Sequence, residues 1–141
     1  MELQVGVKVL LKNSKGKYLL IRRSPKKYPK AGPKWDIVGG RITPGTTLLE
    51  NLKREVKEET GLDLDGQLKL VGAQDILGIK GYPNRHVVRL TYLGQTEGTP
   101  KISDESLEFG WFTRKEITKM DAGKLDKYFK ELLNAGLIPS S

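Results

Sequence analysis

The sequence contains no cysteine, so disulfide bonds and thiolate metal sites are excluded. No apolar run approaches the roughly 20 residues that a membrane-spanning helix requires. The first residues also lack the layout of a signal peptide, because Glu2 stands where positive charge is expected and polar residues interrupt the apolar ones. These absences predict a cytoplasmic location and no membrane partner.

Aromatic residues are few, at 7%, and no recognition helix or RNA-binding signature is present. Nucleic acid is therefore not expected to be the principal ligand. The apolar fraction of 37% is enough for one core in a chain of 141 residues, and no repeat or linker divides it. The formal net charge of +8 favours anionic partners such as nucleotides, although scattered lysines also serve solubility. An RNA-associated protein stays as an alternative.

Apolar residues alternate along 5–11 and predict a strand, which a turn at 13–16 joins to a partner strand, Lys17–Arg22. Residues 24–34 contain three prolines and four lysines and predict an irregular basic loop. Further strands are predicted at 35–38, 67–80, 85–93 and 108–113. A C-terminal helix is predicted over roughly 114–136.

The central helix has a predicted start and end. Thr47 and Glu50 have the spacing of a capping box, and Gly61 is placed to end the helix. Its apolar positions at helical spacing, which should face the core, are Leu49, Leu52 and Val56. Because strands interleave with two helices, the expected fold class is α/β (α+β), with helices flanking a mixed sheet.

Three glutamates of this helix share one stripe. With Glu55 at zero, Glu59 lies about 40° to one side and Glu58 about 60° to the other. Like charges at these spacings repel, so a cation should compensate them, and Mg²⁺ prefers such oxygen ligands. The alternative is a solvated acidic face, neutralised by the neighbouring cations Lys53, Arg54 and Lys57.

Residues 40–62 resemble the signature of the Nudix family, G-x5-E-x7-R-E-U-x-E-E-x-G-U, in which U is a bulky aliphatic residue. Eight of its nine defined positions are present at the required spacing: Gly40, Arg54, Glu55, Val56, Glu58, Glu59, Gly61 and Leu62. The departure is Thr46, which replaces the first glutamate. The resemblance is to MutT-like members and extends over nearly the whole chain.

The resemblance implies one Nudix domain over 1–141 with an α/β/α sandwich fold. It also implies hydrolysis of the pyrophosphate of a nucleotide, or of a nucleoside diphosphate linked to another group. Mg²⁺ or Mn²⁺ would be held by Glu55, Glu58 and Glu59, with the carbonyl of Gly40 as a further ligand. The metal would bridge phosphate oxygens and lower the pKa of an attacking water. Dimers are common in the family, so a homodimer is an open alternative.

In the family, the arginine of the motif commonly pairs with the first glutamate of the signature. Because Thr46 stands at that position here, Arg54 lacks this partner. Glu50 lies four residues before Arg54, the favourable orientation for a helical ion pair, and we hypothesise that it partly substitutes. The alternative is a weakened site in a protein that binds nucleotides with little turnover, as a sensor.

Residues outside the motif complete the expected site. By its spacing to Trp111, Glu105 resembles the general base of relatives that cleanse oxidised nucleotides, while Asp104, Glu108 and the motif glutamates stay open as alternatives.

Two arginines, Arg22 and Arg23, end the second strand. In the same relatives an arginine at this place contacts the substrate phosphates, and Arg23 is the preferred candidate. The alternative is an exposed strand end. The single histidine, His86, is expected to be structural, and no pattern names the substrate.

Overall fold

The computed structural model describes residues 1–24, 34–104 and 106–140, so most of the predicted basic loop lies outside the described residues. The strands are β1 (Glu2–Lys12), β2 (Tyr18–Arg23), β3 (Trp35–Asp36), β4 (Val38–Arg41), β5 (Asp65–Ile76), β6 (Arg85–Gln95) and β7 (Ser106–Phe112). The helices are α1 (Leu48–Thr60), α2 (Arg114–Thr118) and α3 (Lys127–Asn134), with a 3₁₀ turn at Ala122–Lys124. No helix among the described residues is long and apolar enough to cross a membrane.

Strand β1 is the centre of the sheet. It runs parallel to β6 along its whole length, from Glu2 opposite Arg85 to Lys12 opposite Gln95. On its other side it pairs antiparallel with β4 and then, at Lys12, with β2. The strand order is β3-β2-β1-β6-β5, and off this path β4 pairs with β1 and β7 pairs with β2. The sheet is therefore mixed, as predicted.

The two faces of the sheet form two cores. Val7 and Val9 on one face of β1 pack with Leu52 and Val56 of α1. Leu10 lies on the opposite face, because side chains alternate along a strand, and it joins the core that α3 covers. Helices thus lie on both faces of the sheet, and the predicted α/β/α sandwich is confirmed.

Helix α1 begins and ends where the sequence predicted. Thr47 caps its start in a capping box with Glu50, and Gly61 ends it in the left-handed region at φ 71°. The core prediction was wrong for Leu49, which is 45% exposed. Leu48 packs against the core in its place, because Leu48, Leu52 and Val56 follow one another at intervals of four residues on one face.

The predicted C-terminal helix is interrupted. Thr113 caps α2, which ends at Thr118, and α3 begins only after Asp126, whose carboxylate accepts hydrogen bonds from two backbone N–H groups of the new helix. Between the two helices the N–H of Asp126 donates to the carbonyl of Trp35 at 2.8 Å. This contact with the sheet holds the chain extended and prevents one continuous helix.

Two strand predictions also differ from the structure. The strand expected at 35–38 is divided at Ile37, so that β3 pairs with β2 while β4 pairs with β1. The strand expected at 67–80 begins two residues earlier, at Asp65, and already ends at Ile76. It ends there because Gly78 adopts a positive φ of 66° in the loop that follows.

Candidate active site

Two adjacent glycines of β4 bring its backbone against other elements. Gly39 has φ +150°, and a Cβ there would lie 2.1 Å from the carbonyl oxygen of Val7 in β1. A Cβ on Gly40 would lie 2.9 Å from the carboxylate oxygens of Glu55 in α1. A Cβ at Gly39 would collide with the backbone of β1, and a Cβ at Gly40 would displace the Glu55 carboxylate, so the double glycine lets this carboxylate of α1 lie against the backbone of β4.

Glu59 is buried at the same place. It is 3% exposed, and its Oε2 accepts the N–H of Gly39 at 2.9 Å. Its Oε1 pairs with Nη1 of Arg23, whose Nη2 donates to the carbonyl of Gly39 at 3.3 Å. Burial raises the pKa of Glu59, against the opposing charges of Arg23 and Lys8. Arg23 is therefore the counter-ion of the most buried motif glutamate.

The other two motif glutamates lie at different depths. The Glu55 carboxylate is 3.2 Å from Nη2 of Arg54, and its side chain is 16% exposed. Glu58 is 62% exposed and lies 3.9 Å from Nε of Arg54. The three carboxylates occupy one side of α1 next to its buried face, as the helical angles predict. Within the described ranges, no three acidic or histidine side chains are close enough to hold a metal ion.

A divalent cation still fits this donor set. Carboxylate and carbonyl oxygens are the ligands that Mg²⁺ and Mn²⁺ prefer. Glu55 and Glu59 both reach the Gly39–Gly40 backbone, and the missing Cβ of Gly40 leaves the space in which the Glu55 carboxylate lies. Their negative charge is balanced here by Arg54 and Arg23, a role that a metal ion could take over.

Thr46 takes part in a hydrogen-bond network around Asn51, which is wholly buried. Asn51 Nδ2 donates to Oγ1 of Thr46 and to the carbonyl of Thr47, both at 2.6 Å, and its Oδ1 accepts the N–H of Thr43 at 2.9 Å. Arg54 reaches the same loop, because its Nη1 donates to Oγ1 of Thr43 at 3.1 Å. The loop is thus held without a glutamate at position 46.

The hypothesis that Glu50 substitutes as the partner of Arg54 was wrong. Glu50 Oε2 accepts the N–H of Thr47 at 3.0 Å, which closes the capping box. Among the described residues, the ion-pair partners of Arg54 are Glu55 and Glu58. The Glu50 carboxylate is therefore engaged in the capping box, although its spacing in the helix predicted a pair with Arg54.

The two arginines at the end of β2 have different surroundings. Arg23 lies beside Glu59, whereas Nε of Arg22 lies 2.8 Å from Oε1 of Glu108, and its guanidinium lies over the ring of Trp35. The structure thus brings Arg23, and not Arg22, to the motif glutamates.

The candidates for the general base are spread along one loop and strand. Glu105 lies outside the described residues. Asp104 is exposed, and Glu108 is paired with Arg22. His86 pairs across strands with Asp75, at 2.7 Å between Nε2 and Oδ1, in line with a structural role.

A cavity of about 600 Å³ adjoins the double glycine, and sequence reasoning missed most of its lining. Lys8 and Arg89 contact the Asp36 carboxylate at 3.2 and 3.3 Å, and Arg89 also reaches Asp126 at 3.2 Å. Burial would raise the pKa of Asp36, but the charges of Lys8 and Arg89 outweigh it and lower the pKa to about 2. A sequence signal did exist, because Gly6 and Lys8 interrupt the otherwise apolar stretch 5–11.

Known proteins resemble the chain in sequence. It is 29% identical over 107 residues to the oxidized purine nucleoside triphosphate hydrolase of Mus musculus, a match covering 71% of this chain and 62% of that protein. It is 36% identical over 110 residues to the m7GpppN-mRNA hydrolase of Xenopus laevis, covering 73% of this chain and 36% of that protein. The chain therefore spans less than two thirds of the length of these curated relatives.

Solved structures share the fold. The MutT protein from Methanosarcina mazei Go1 superposes with a TM-score of 0.77 at 28% identity, over 95% of this chain and 92% of that one. The MutT NUDIX hydrolase from Burkholderia pseudomallei has a TM-score of 0.74 at 23% identity, over 95% and 98% of the two chains. The NUDIX domain model matches residues 2–133. The chain therefore belongs to the Nudix family, as its motif predicted.

Proposed function

We propose that the protein is a metal-dependent pyrophosphohydrolase that cleaves the pyrophosphate of a nucleotide, or of a nucleoside diphosphate linked to another group. The observation that carries the proposal is the convergence of Glu55 and Glu59 on the Gly39–Gly40 backbone, with Arg23 beside them. Relatives named as hydrolases of an oxidized purine nucleoside triphosphate and of m7GpppN-mRNA support the substrate class.

Glu55, Glu58 and Glu59 would hold Mg²⁺ or Mn²⁺, with the carbonyl of Gly40 as a further ligand. When bound, the metal supplies an activated water and offsets charge on the phosphates. Arg23 carries a planar guanidinium that suits phosphate oxygens. Because this guanidinium is paired with Glu59, a substrate phosphate and the Glu59 carboxylate compete for it.

The proton of the attacking water goes to a carboxylate. Both oxygens of Glu59 are engaged by Arg23 and Gly39, whereas Glu58 is the motif glutamate most open to solvent. Glu105 is the third candidate, and its sequence position just before β7 motivates it. We therefore propose Glu58 or Glu105 as the general base, with Glu59 as a candidate once a substrate phosphate draws Arg23 away from it.

A second candidate function is nucleotide binding with weak turnover. The observation that favours it is the neutralisation of the buried Glu59 by Arg23 and of the partly buried Glu55 by Arg54, together with threonine at position 46. An RNA-associated role, favoured by the charge of +8, is the third.

The test is hydrolysis in excess Mg²⁺ by the wild type, Glu58→Gln and Glu59→Gln. The panel holds nucleoside triphosphates, oxidised dGTP, ADP-ribose, NADH, sugar nucleotides, dinucleoside polyphosphates and a capped RNA. We expect each substitution to lower kcat/KM by about a hundredfold or more. Glu131→Gln, on the exposed side of α3, is the matched control and should retain activity.

Three outcomes separate the candidates. Turnover that survives both glutamine substitutions contradicts the metal assignment. Nucleotide binding without turnover in the wild type supports the sensor. Salt-dependent binding of uncapped RNA, in preference to small nucleotides, supports the RNA-associated role.

A further inference from the structure

We propose that Arg41 and Arg85 form a second anion site in the cavity beside the double glycine, for a phosphate monoester that the substrate carries in addition to its pyrophosphate. This inference rests on the proposed function, because it names the class of molecule whose pyrophosphate lies at the motif glutamates.

Five cationic side chains and one carboxylate line the cavity: Lys8, Arg23, Arg41, Arg85, Arg89 and Asp36. Three of the cations have partners within the protein. Lys8 and Arg89 share Asp36, and Arg89 also pairs with Asp126. Arg23 pairs with Glu59. The positive charge that these pairs do not neutralise is therefore that of Arg41, which is exposed, and of Arg85, which is partly buried.

These two guanidiniums have weaker ion-pair partners than the other cations of the cavity. In the described part of the chain Arg41 makes no ion pair, and Arg85 lies 3.5 Å from Glu2, which is 57% exposed. Arg85 lies close enough to Arg41 to repel its charge, and both arginines line the same cavity. An exposed pair of this kind contributes little, so the like charges of Arg41 and Arg85 remain an electrostatic cost that an incoming anion would relieve.

The position of Arg85 is held by stacking. Its guanidinium carbon lies 4.1 Å from the ring centroid of Tyr82, in the loop between β5 and β6. This contact restrains a long side chain without using its N–H donors. Arg85 can therefore donate to a phosphate at little cost in side-chain entropy.

Gly6 provides the room between the arginines and the motif. It lies in β1 between Arg41 on one neighbouring strand and Arg89 on the other. A Cβ there would lie 3.8 Å from Cδ of Arg41 and 3.9 Å from the carbonyl oxygen of Gly40, which are ordinary contacts. Alanine is therefore tolerated, whereas a larger side chain would occupy the cavity floor.

The site is continuous with the proposed active site. Arg41 follows Gly40 directly in the chain, and Gly39, Gly40 and Arg23 line the same cavity. One substrate can therefore place its pyrophosphate at Glu55 and Glu59 and a second phosphate at Arg41 and Arg85.

The test is equilibrium binding of matched nucleotides to the full chain in excess Mg²⁺. AMP is compared with adenosine 2′,5′-bisphosphate and adenosine 3′,5′-bisphosphate, which differ from it by one phosphate monoester. We expect at least one bisphosphate to bind about tenfold or more tightly than AMP, from charge-assisted contacts to two arginines. Arg41→Gln and Arg85→Gln should each remove most of this preference.

Two further variants sharpen the test. Arg114→Gln removes an arginine in α2 that does not line this cavity, and it should retain the preference. Gly6→Ala should bind like the wild type, whereas Gly6→Val should weaken binding of the bisphosphate. Equal binding of AMP and both bisphosphates, no binding of any of them, or a preference that survives both arginine substitutions overturns the proposal.

The outcome is distinguishable from failure of the proposed function, because binding is measured without turnover. NADH and NADPH, which differ by one phosphate monoester, repeat the comparison in the hydrolysis assay. Hydrolysis of other panel members without any bisphosphate preference refutes the second anion site alone. A bisphosphate preference without hydrolysis of any panel member refutes the enzyme alone.

Discussion

Replacement of Asn51 by alanine should destabilise the fold, because this buried amide holds the loop between β4 and α1. The Asn51 side chain makes three hydrogen bonds, to Oγ1 of Thr46, to the carbonyl of Thr47 and from the N–H of Thr43. The same loop sets the position of Gly40 relative to Glu55. The substitution therefore removes an internal connection between the double glycine and the motif helix.

The magnitude follows from the three bonds. Each of these part-buried bonds contributes about 1 kcal/mol net, and a partner group that stays shielded from water after the substitution adds a further cost. We expect the free energy of unfolding to fall by about 2 to 4 kcal/mol. For a domain of this length that corresponds to a decrease in Tm of roughly 5 to 15 °C.

Urea unfolding followed by circular dichroism measures the effect. Lys53→Ala is the matched control on the same helix, because Lys53 is exposed and its truncation should change stability by less than about 0.5 kcal/mol. A loss below about 1 kcal/mol for Asn51→Ala, with an unchanged m-value, would refute the reasoning that the amide holds this loop.

Two further predictions concern other charged side chains. Glu50→Ala should lower stability by about 1 kcal/mol through loss of the capping box, with kcat unchanged; a lower kcat at unchanged stability would instead indicate a role toward Arg54. The pKa of Asp36 is about 2, below its usual 3.8, so its ionisation contributes about 2 kcal/mol above pH 4 that is lost as the pH falls toward 2. The free energy of unfolding should therefore be measured for the wild type and Asp36→Asn from pH 5 to pH 2. The difference between the two proteins should become smaller as the pH falls, and a constant difference would contradict the lowered pKa of Asp36.

The parts of the site that could be predicted are local in the chain. The stripe of Glu55, Glu58 and Glu59 follows from 3.6 residues per turn once the helix is located. The capping box at Thr47 and the left-handed Gly61 locate that helix, and both were found in the structure. The Nudix family could be recognised for the same reason, because its signature is a short, contiguous pattern.

The errors arose where contacts distant in the chain decide local structure. Leu49 and Leu48 have the same local propensity, and only the direction in which α1 packs on β1 buries Leu48. The spacing of four residues predicted an ion pair between Glu50 and Arg54, but the Glu50 carboxylate accepts the N–H of Thr47 in the capping box. The C-terminal helix is interrupted because the backbone of Asp126 bonds to Trp35, about 90 residues earlier in the chain.

Helix geometry was enough to predict the carboxylate stripe, and the resemblance of residues 40–62 to a short contiguous signature was enough to identify the family. The depth of each glutamate, the pairing of Glu59 with Arg23 and the cavity lined by Arg41, Arg85 and Arg89 depended on tertiary structure. These side chains come from β2, β4, β6 and α1. Sheet register and helix packing, which are set by contacts far apart in the sequence, bring them to one place.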